Sequence, residues 1–237
     1  NLESLNEHDN NYIASVLDLN YLYLITYADI STGEFKSLSV THHKENLING
    51  ILHLNIKEVI LLDSSDVELI HLLKNTYGIE VSISSEYLTD GYEDLISSVE
   101  DIRVKQGIRH LLYYLVVREL KDLHHLSRVE IVNKNDYLEM DIHTIRNLEL
   151  VETLRLKERT YSLLWLLDQT KTAMGSRKIK AWLTNPLRSR EAISDRYQKI
   201  EIFNQEFMQT DEIRNLLFQI YDLERLCAKV ICGNLNA

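Results

Sequence analysis

The sequence has one proline, two cysteines and seven glycines in 237 residues. Each scarcity excludes something. Cys227 and Cys232 fall in one predicted helix on different faces of it, where the backbone holds their Cα atoms too far apart for a disulfide. Neither has a second Cys or His pair beside it, so zinc is not expected and both read as small core residues. The glycines build no Gly-x-x-x-x-Gly-Lys-Ser/Thr phosphate loop, so these residues should neither bind nor hydrolyse ATP. No apolar run reaches the roughly 20 residues needed to cross a bilayer. The start at Asn1-Leu2-Glu3-Ser4 has neither the basic nor the apolar part of a secretion signal. A cytoplasmic protein without membrane contact is the expectation. No Met opens the chain and no polar tail closes it at Asn236-Ala237, so both ends are expected to be cut within a longer protein.

Arginine is missing from the first 100 residues, which carry 4 Lys against 17 acidic residues, a balance of −13. The remainder carries 22 basic and 19 acidic residues, a balance of +3 within a total of −10. That shift places a domain boundary near Asp101, and the length suits two domains. The acidic half should be repelled from a phosphate backbone, and the second half lacks a dense basic stripe. Strong DNA binding by these residues alone is not expected.

Residues 12–17 and 21–27 are rich in aromatic and β-branched types, and Phe35, Leu38 and Val40 sit in a third extended stretch after Thr32-Gly33. Gly33 suits a turn needing positive φ, so the second and third runs form a hairpin. The period then changes. Leu47, Ile48, Ile51, Leu52 and Leu54 follow helical spacing, residues 58–62 read as a buried strand, residues 67–77 as a helix and residues 79–83 as a strand. Ser65 and Glu68 form a capping box for that second helix, which Gly78 ends. Three hairpin-linked strands followed by right-handed crossovers give a mixed sheet with helices on its faces, an RNase H-like α/β fold.

The second half has little strand signal beyond a short stretch at residues 137–140. Val104, Ile108, Leu111, Leu112, Leu115 and Val116 make a broad apolar face on a helix running to about Leu123. Asp141 caps a helix holding Ile142, Ile145 and Leu148, and Ser189 caps one holding Ile193, Tyr197, Ile200, Phe203 and Phe207. Ile213, Leu216, Leu217 and Ile220 repeat the spacing after Thr210, as do Leu223, Leu226, Cys227, Val230 and Ile231 after Asp222. This half is all-α. Residues 162–168 are apolar nearly all round and should be buried on most sides. Thr172 caps the next helix, in which Gly175, Ile179, Trp182 and Leu183 share a face. Gly in a helix interior costs about 1 kcal/mol relative to Ala, so Gly175 suggests close backbone approach by a neighbour. Pro186 biases Asn185 away from helical geometry and ends that helix.

Three stretches of this half carry a resemblance. They are Met140-Asp141-Ile142-His143-Thr144-Ile145-Arg146-Asn147-Leu148-Glu149-Leu150; residues 162–175, from Ser162-Leu163-Leu164-Trp165-Leu166-Leu167-Asp168 to Met174-Gly175; and Trp182-Leu183-Thr184-Asn185-Pro186-Leu187. In this order and spacing they are similar to the start of the MutS core domain of DNA mismatch-repair proteins, and Asp222-Leu223-Glu224-Arg225-Leu226 is similar to a later family motif. Residues 27–35, Tyr27-Ala28-Asp29-Ile30-Ser31-Thr32-Gly33-Glu34-Phe35, resemble the hairpin of the MutS connector domain. The resemblance covers the chain from about Tyr12 onward. It implies a linker at residues 1–11 from a missing N-terminal domain, an RNase H-like connector at 12–100, and the first part of the helical core, or lever, domain at 101–237. No Phe-x-Glu pattern occurs among the four phenylalanines, so the family's reader of mispaired bases is absent, as is its ATPase. What the resemblance implies for the parent protein is a homodimer around mismatched double-stranded DNA that uses ATP and Mg and recruits MutL through the connector. For these residues it implies no catalytic, cofactor or metal site, and a role in linking the mismatch reader to the ATPase.

Other readings of the same residues compete. An RNase H-like sheet invites a two-metal nuclease, whose carboxylates hold cations about 3.5 to 4 Å apart. Asp18, Glu45 and Asp63 are its candidates, but acidic residues at strand ends and helix starts are ordinary turn and cap chemistry. A helical scaffold unrelated to repair is the third reading. Nine histidines, including His42-His43 and His124-His125, show no metal-ligand spacing and read as surface or helix-end residues. Arg177, Lys178 and Lys180, with Arg188 and Arg190, form the densest basic cluster. Arg177, Lys178 and Lys180 are the candidate DNA contacts, against a solvated helix face pairing with acidic neighbours.

Overall fold

The computed structural model describes residues 9–118, 123, 125–133 and 136–231. The chain divides into two compact units. Among the described residues, one spans Asn10–Val132 with the segment from Glu224; the other spans Asn133–Leu223 with Asp9.

The first unit is built on strands β1 (Ile13–Asp18), β2 (Leu22–Asp29), β3 (Glu34–Thr41), β4 (Glu58–Leu61), β5 (Glu80–Ile83) and β6 (Glu130–Val132) in the order β5-β4-β1-β2-β3-β6. The first three are antiparallel neighbours, while β4 joins β1, β5 joins β4 and β6 joins β3 in parallel. The mixed RNase H-like sheet expected from the periodicity is therefore present. Alternating side chains divide the core. Val16, Ile25 and Val59 pack with Leu47 and Ile51 of helix α1 (Lys44–His53) and Leu69 of α2 (Val67–His71). Leu17, Leu24 and Ile60 face Ile108, Leu111 and Leu112 of α4 (Ile102–Tyr113), together with Leu95 and Ile96 of the short α3 (Glu93–Ile96).

The β2–β3 turn shows how local chemistry sets this register. Asp29 is fully buried, and its carboxylate accepts from the Ser31 amide at 2.8 Å, the Ser31 hydroxyl at 2.6 Å and the Asn11 amide at 3.0 Å. Gly33 takes φ +80°, and a Cβ there would lie 2.8 Å from the His125 carbonyl oxygen. Both a left-handed backbone and a close approach require glycine.

Several expectations are corrected. Asp66, not Ser65, caps α2, accepting from the Glu68 amide at 2.9 Å, and the helix continues through a π-helical turn, Leu72–Thr76. The long helix is capped by Asp101 and passes from α4 into a second π-helical turn, Tyr114–Arg118; Leu123 is not helical, and residues 119–122 lie outside the described ones. The sequence pattern did not show β6. Residues 137–140 make no strand, only a single bridge between Tyr137 and Leu187. Because α4 and β6 both build the sheet unit, its continuous stretch runs on to Val132 and does not stop near Asp101. The charge shift marks the start of α4, a helix whose inner face belongs to the sheet.

Gly107 explains why α4 sits so close. A Cβ on it would stand 2.6 Å from Thr26 Oγ1 and 2.8 Å from Leu24 Cδ2, both on buried β2 residues. Gly107→Ala gains helix propensity but overpacks the seam, and should destabilise by about 1 to 2 kcal/mol net. Thermal unfolding checks this; an equal or higher melting temperature would show that the seam can open.

Candidate functional site

The second unit is helical: α5 (Ile142–Asn147), α6 (Leu163–Leu167), α7 (Ala173–Thr184), α8 (Arg190–Gln205) and α9 (Phe207–Leu217). Helix α10 (Leu223–Ile231) follows. Three caps fall where the sequence puts them: Asp141 accepts from the Thr144 amide, Thr172 from Gly175 and Ser189 from Ala192. The structure adds a fourth, Ser162, which accepts from the Trp165 amide. At Asn185 the backbone leaves helical geometry with φ −131°, which ends α7 before Pro186.

Around α6 and α7 a polar brace replaces the expected apolar burial. Of α6 only Leu164 is buried, while Trp165 is 45% and Leu166 63% exposed, so residues 162–168 are not enclosed on most sides. Asp168 ends the helix with a side chain 6% exposed, paired with Arg159 and accepting from the hydroxyls of Ser176 and Thr170 and from the Thr170 amide at 3.2 Å. Burial pushes its pKa up, but the hydrogen bonds from Ser176, Thr170 and Arg159 outweigh that and hold it below the usual carboxylate range. The carboxylate therefore stays charged and acts as a brace between the two helices. Arg159, Lys171 and Thr172 line an open cleft beside it. Gly175 meets no other helix: a Cβ there would approach Thr170 Cβ at 3.0 Å and Thr172 Oγ1 at 3.1 Å, so the tight neighbour is the loop leading into α7.

The candidate DNA contacts are placed differently from one another. Arg177 is 8% exposed and makes a two-pronged ion pair with Asp222, Nη1 to Oδ2 at 2.7 Å and Nη2 to Oδ1 at 2.9 Å. It is paired with an acid, as one reading expected, but it is buried and not on a solvated face. Lys180 pairs with Asp9. The Lys178 ammonium stands 5.9 Å from the Trp182 ring centre, over which the Arg196 guanidinium sits at 3.7 Å. The structure thus directs Arg177 and Lys180 to carboxylates and Lys178 toward the Trp182 ring.

Helices α8 and α9 have no buried residue, and Tyr197, Phe203 and Phe207 stay exposed. Helix α9 begins at Phe207, before Thr210, whose hydroxyl donates to the Phe203 carbonyl at 2.6 Å. Cys227 is exposed and free, contrary to a core role, and Cys232 lies outside the described residues.

The nuclease carboxylates remain apart. Asp18 accepts from the Asn20 amide at 2.8 Å and pairs with His42 at 2.9 Å, Glu45 lies in the first turn of α1, and the Asp63 amide donates to Ser85. Among the described residues no three His, Cys, Asp or Glu side chains converge to hold a metal ion. His125 donates from Nε2 to the Ile30 carbonyl at 2.7 Å, and His124 lies outside the described residues. No described helix is long and apolar enough to cross a membrane.

These features define a class: an RNase H-like mixed-sheet unit followed by a helical unit braced by paired charges. Residues 143–237 match the family model described as MutS domain III. The chain is 34% identical over 235 residues to the DNA mismatch repair protein MutS of Oceanobacillus iheyensis, covering 98% of this chain and 27% of that protein. It is 35% identical over 238 residues to those of Bacillus cereus and Bacillus thuringiensis, covering 99% of this chain and 27% and 26% of those proteins. The chain belongs to the MutS family, and it spans about a quarter of the length of these curated relatives.

One buried constellation was missed in the sequence. His110 of α4 is fully buried, with Nδ1 2.6 Å from Ser15 Oγ and Nε2 2.7 Å from the Ser84 carbonyl. A carbonyl only accepts, so Nε2 carries the proton and Nδ1 accepts from Ser15. Gly107, His110 and Tyr114 fall at i, i+3 and i+7 along the apolar stripe that runs through α4 into its π-helical turn, which was the available signal. Burial lowers the His110 pKa, opposed by its hydrogen bond to Ser84. The folded state keeps it neutral while the unfolded chain takes up a proton near pH 6.5, so its contribution is full above that pH and is lost on acidification. The melting temperature should fall between pH 7.5 and 5.5, with His110 contributing up to about 1.4 kcal/mol per pH unit. His110→Gln should melt lower at pH 7.5 but with a flatter pH dependence; parallel profiles for the two proteins would contradict this.

Proposed function

We propose that this chain links the mismatch reader of a DNA mismatch-repair protein to its ATPase, the sheet unit being the connector domain and the helical unit the first part of the core domain. The observation that carries this is 34 to 35% identity along 98 to 99% of the chain to DNA mismatch repair proteins MutS. The parent, on this reading, is a cytoplasmic homodimer that binds mismatched double-stranded DNA and uses ATP with Mg, both held outside these 237 residues. These residues contribute no catalytic group. Packed helices shift as units, so a change at one end of the helical unit biases the arrangement at the other.

The connector is also proposed as the docking surface for a MutL-type repair protein, with its domain boundary at Val132. Immobilised 237-residue chain should capture purified MutL, and residues 133–237 alone should not. Equal capture by both would place the docking surface in the helical unit, and capture by neither would remove MutL docking from this chain.

A further inference from the structure

Helices α8 and α9 form an excursion between Pro186 and Asp222 in which no residue is buried. Such an excursion has no core of its own to fix its direction, so contacts at its base must do so. At its entry the Leu138 amide donates to the Pro186 carbonyl at 2.7 Å, and the Arg188 amide to Asp136 at 3.1 Å. Arg196 of α8 covers the Trp182 ring of α7. At its exit stands the pair of Arg177 with Asp222, 45 residues apart, their side chains only 6% and 15% exposed.

Burying two charges is costly, and an apolar pair of similar volume is often as stable or more so. What the ion pair supplies beyond stability is geometry: two parallel N–H to O bonds fix both distance and angle, which a greasy contact leaves loose. We propose that Arg177 and Asp222 are positioning residues, a directional joint that makes the α8–α9 excursion and α7 turn together and so carries the mismatch signal through the helical unit. This rests on the linking role proposed above. Arg177 then acts through Asp222 and not on DNA phosphate.

The test uses the full-length protein, with steady-state ATP turnover measured on matched and mismatched duplexes beside mismatch affinity and melting temperature. Arg177→Met/Asp222→Leu replaces the joint by an apolar contact. It should keep mismatch affinity and basal turnover within about twofold while losing at least about fivefold of the mismatch response, a separation that a merely stabilising contact would not give. The exchanged pair Arg177→Asp/Asp222→Arg should recover a substantial part of the response. A double variant that responds as the wild type does overturns the joint alone. Loss of affinity, basal turnover and response in equal proportion also overturns it, as does an exchanged pair that stays folded but unresponsive. A wild-type protein whose turnover ignores the mismatch overturns the linking role, and the joint with it.

Discussion

The approach of α4 to the middle of the sheet is the constraint on which the first unit depends. A helix can lie this close only where a residue without a Cβ faces the strands, and Gly107 provides that against Leu24 and Thr26. Close approach brings polar backbone and side-chain groups of the sheet under the helix, and each then needs a partner. Ser15 and Ser84 find theirs in His110, Glu58 and Ser82 in Tyr114, and Thr26 in Ser37. The seam is thus polar at its centre and apolar around it, through Leu17, Ile60, Ile108 and Leu111. Fully paired, such a network specifies one register of helix on sheet.

The second unit uses the same rule with charges in place of a histidine. Its helices bury few side chains, and α6 leaves most of its leucines and Trp165 exposed. Orientation is supplied by Asp168 with Arg159 and Ser176, and by Arg177 with Asp222. Paired charges of this kind add little net stability over apolar contacts, but removing one partner strands the other. A unit that has to hold shape while transmitting a displacement is served by joints of this sort.

Much of this was legible in the sequence because it rests on local chemistry. The alternation in β1 to β3, the Gly33 turn, the caps at Asp141, Thr172 and Ser189, and the stop at Pro186 each depend on residues a few positions apart. The motifs from Met140 to Leu187 were sufficient to identify the family. What was not legible depends on distant partners. Strand β6 has three residues and is defined by pairing with Lys36, Ser37 and Leu38 of β3. Gly107 and His110 acquire meaning only against β1 and β2, and Arg177 only against an aspartate 45 residues on. The exposure of Leu163, Trp165, Leu166 and Leu167 likewise ran against a pattern that periodicity assigns to burial. Composition misled at Asp101 because basic residues begin on the outer face of a helix whose inner face is core to the preceding sheet.

In this account the chain is two structural units whose geometry is set by buried polar contacts, with α4 and β6 integral to the first. Hydrogen exchange along the intact chain tests this most directly, since amides that open only with a whole cooperative unit share its free energy. Amides of α4 should exchange as slowly as those of β1 and β2. Exchange of α4 together with residues 142–147 and 173–184, and faster than β1 and β2, would return α4 to the helical unit and contradict it.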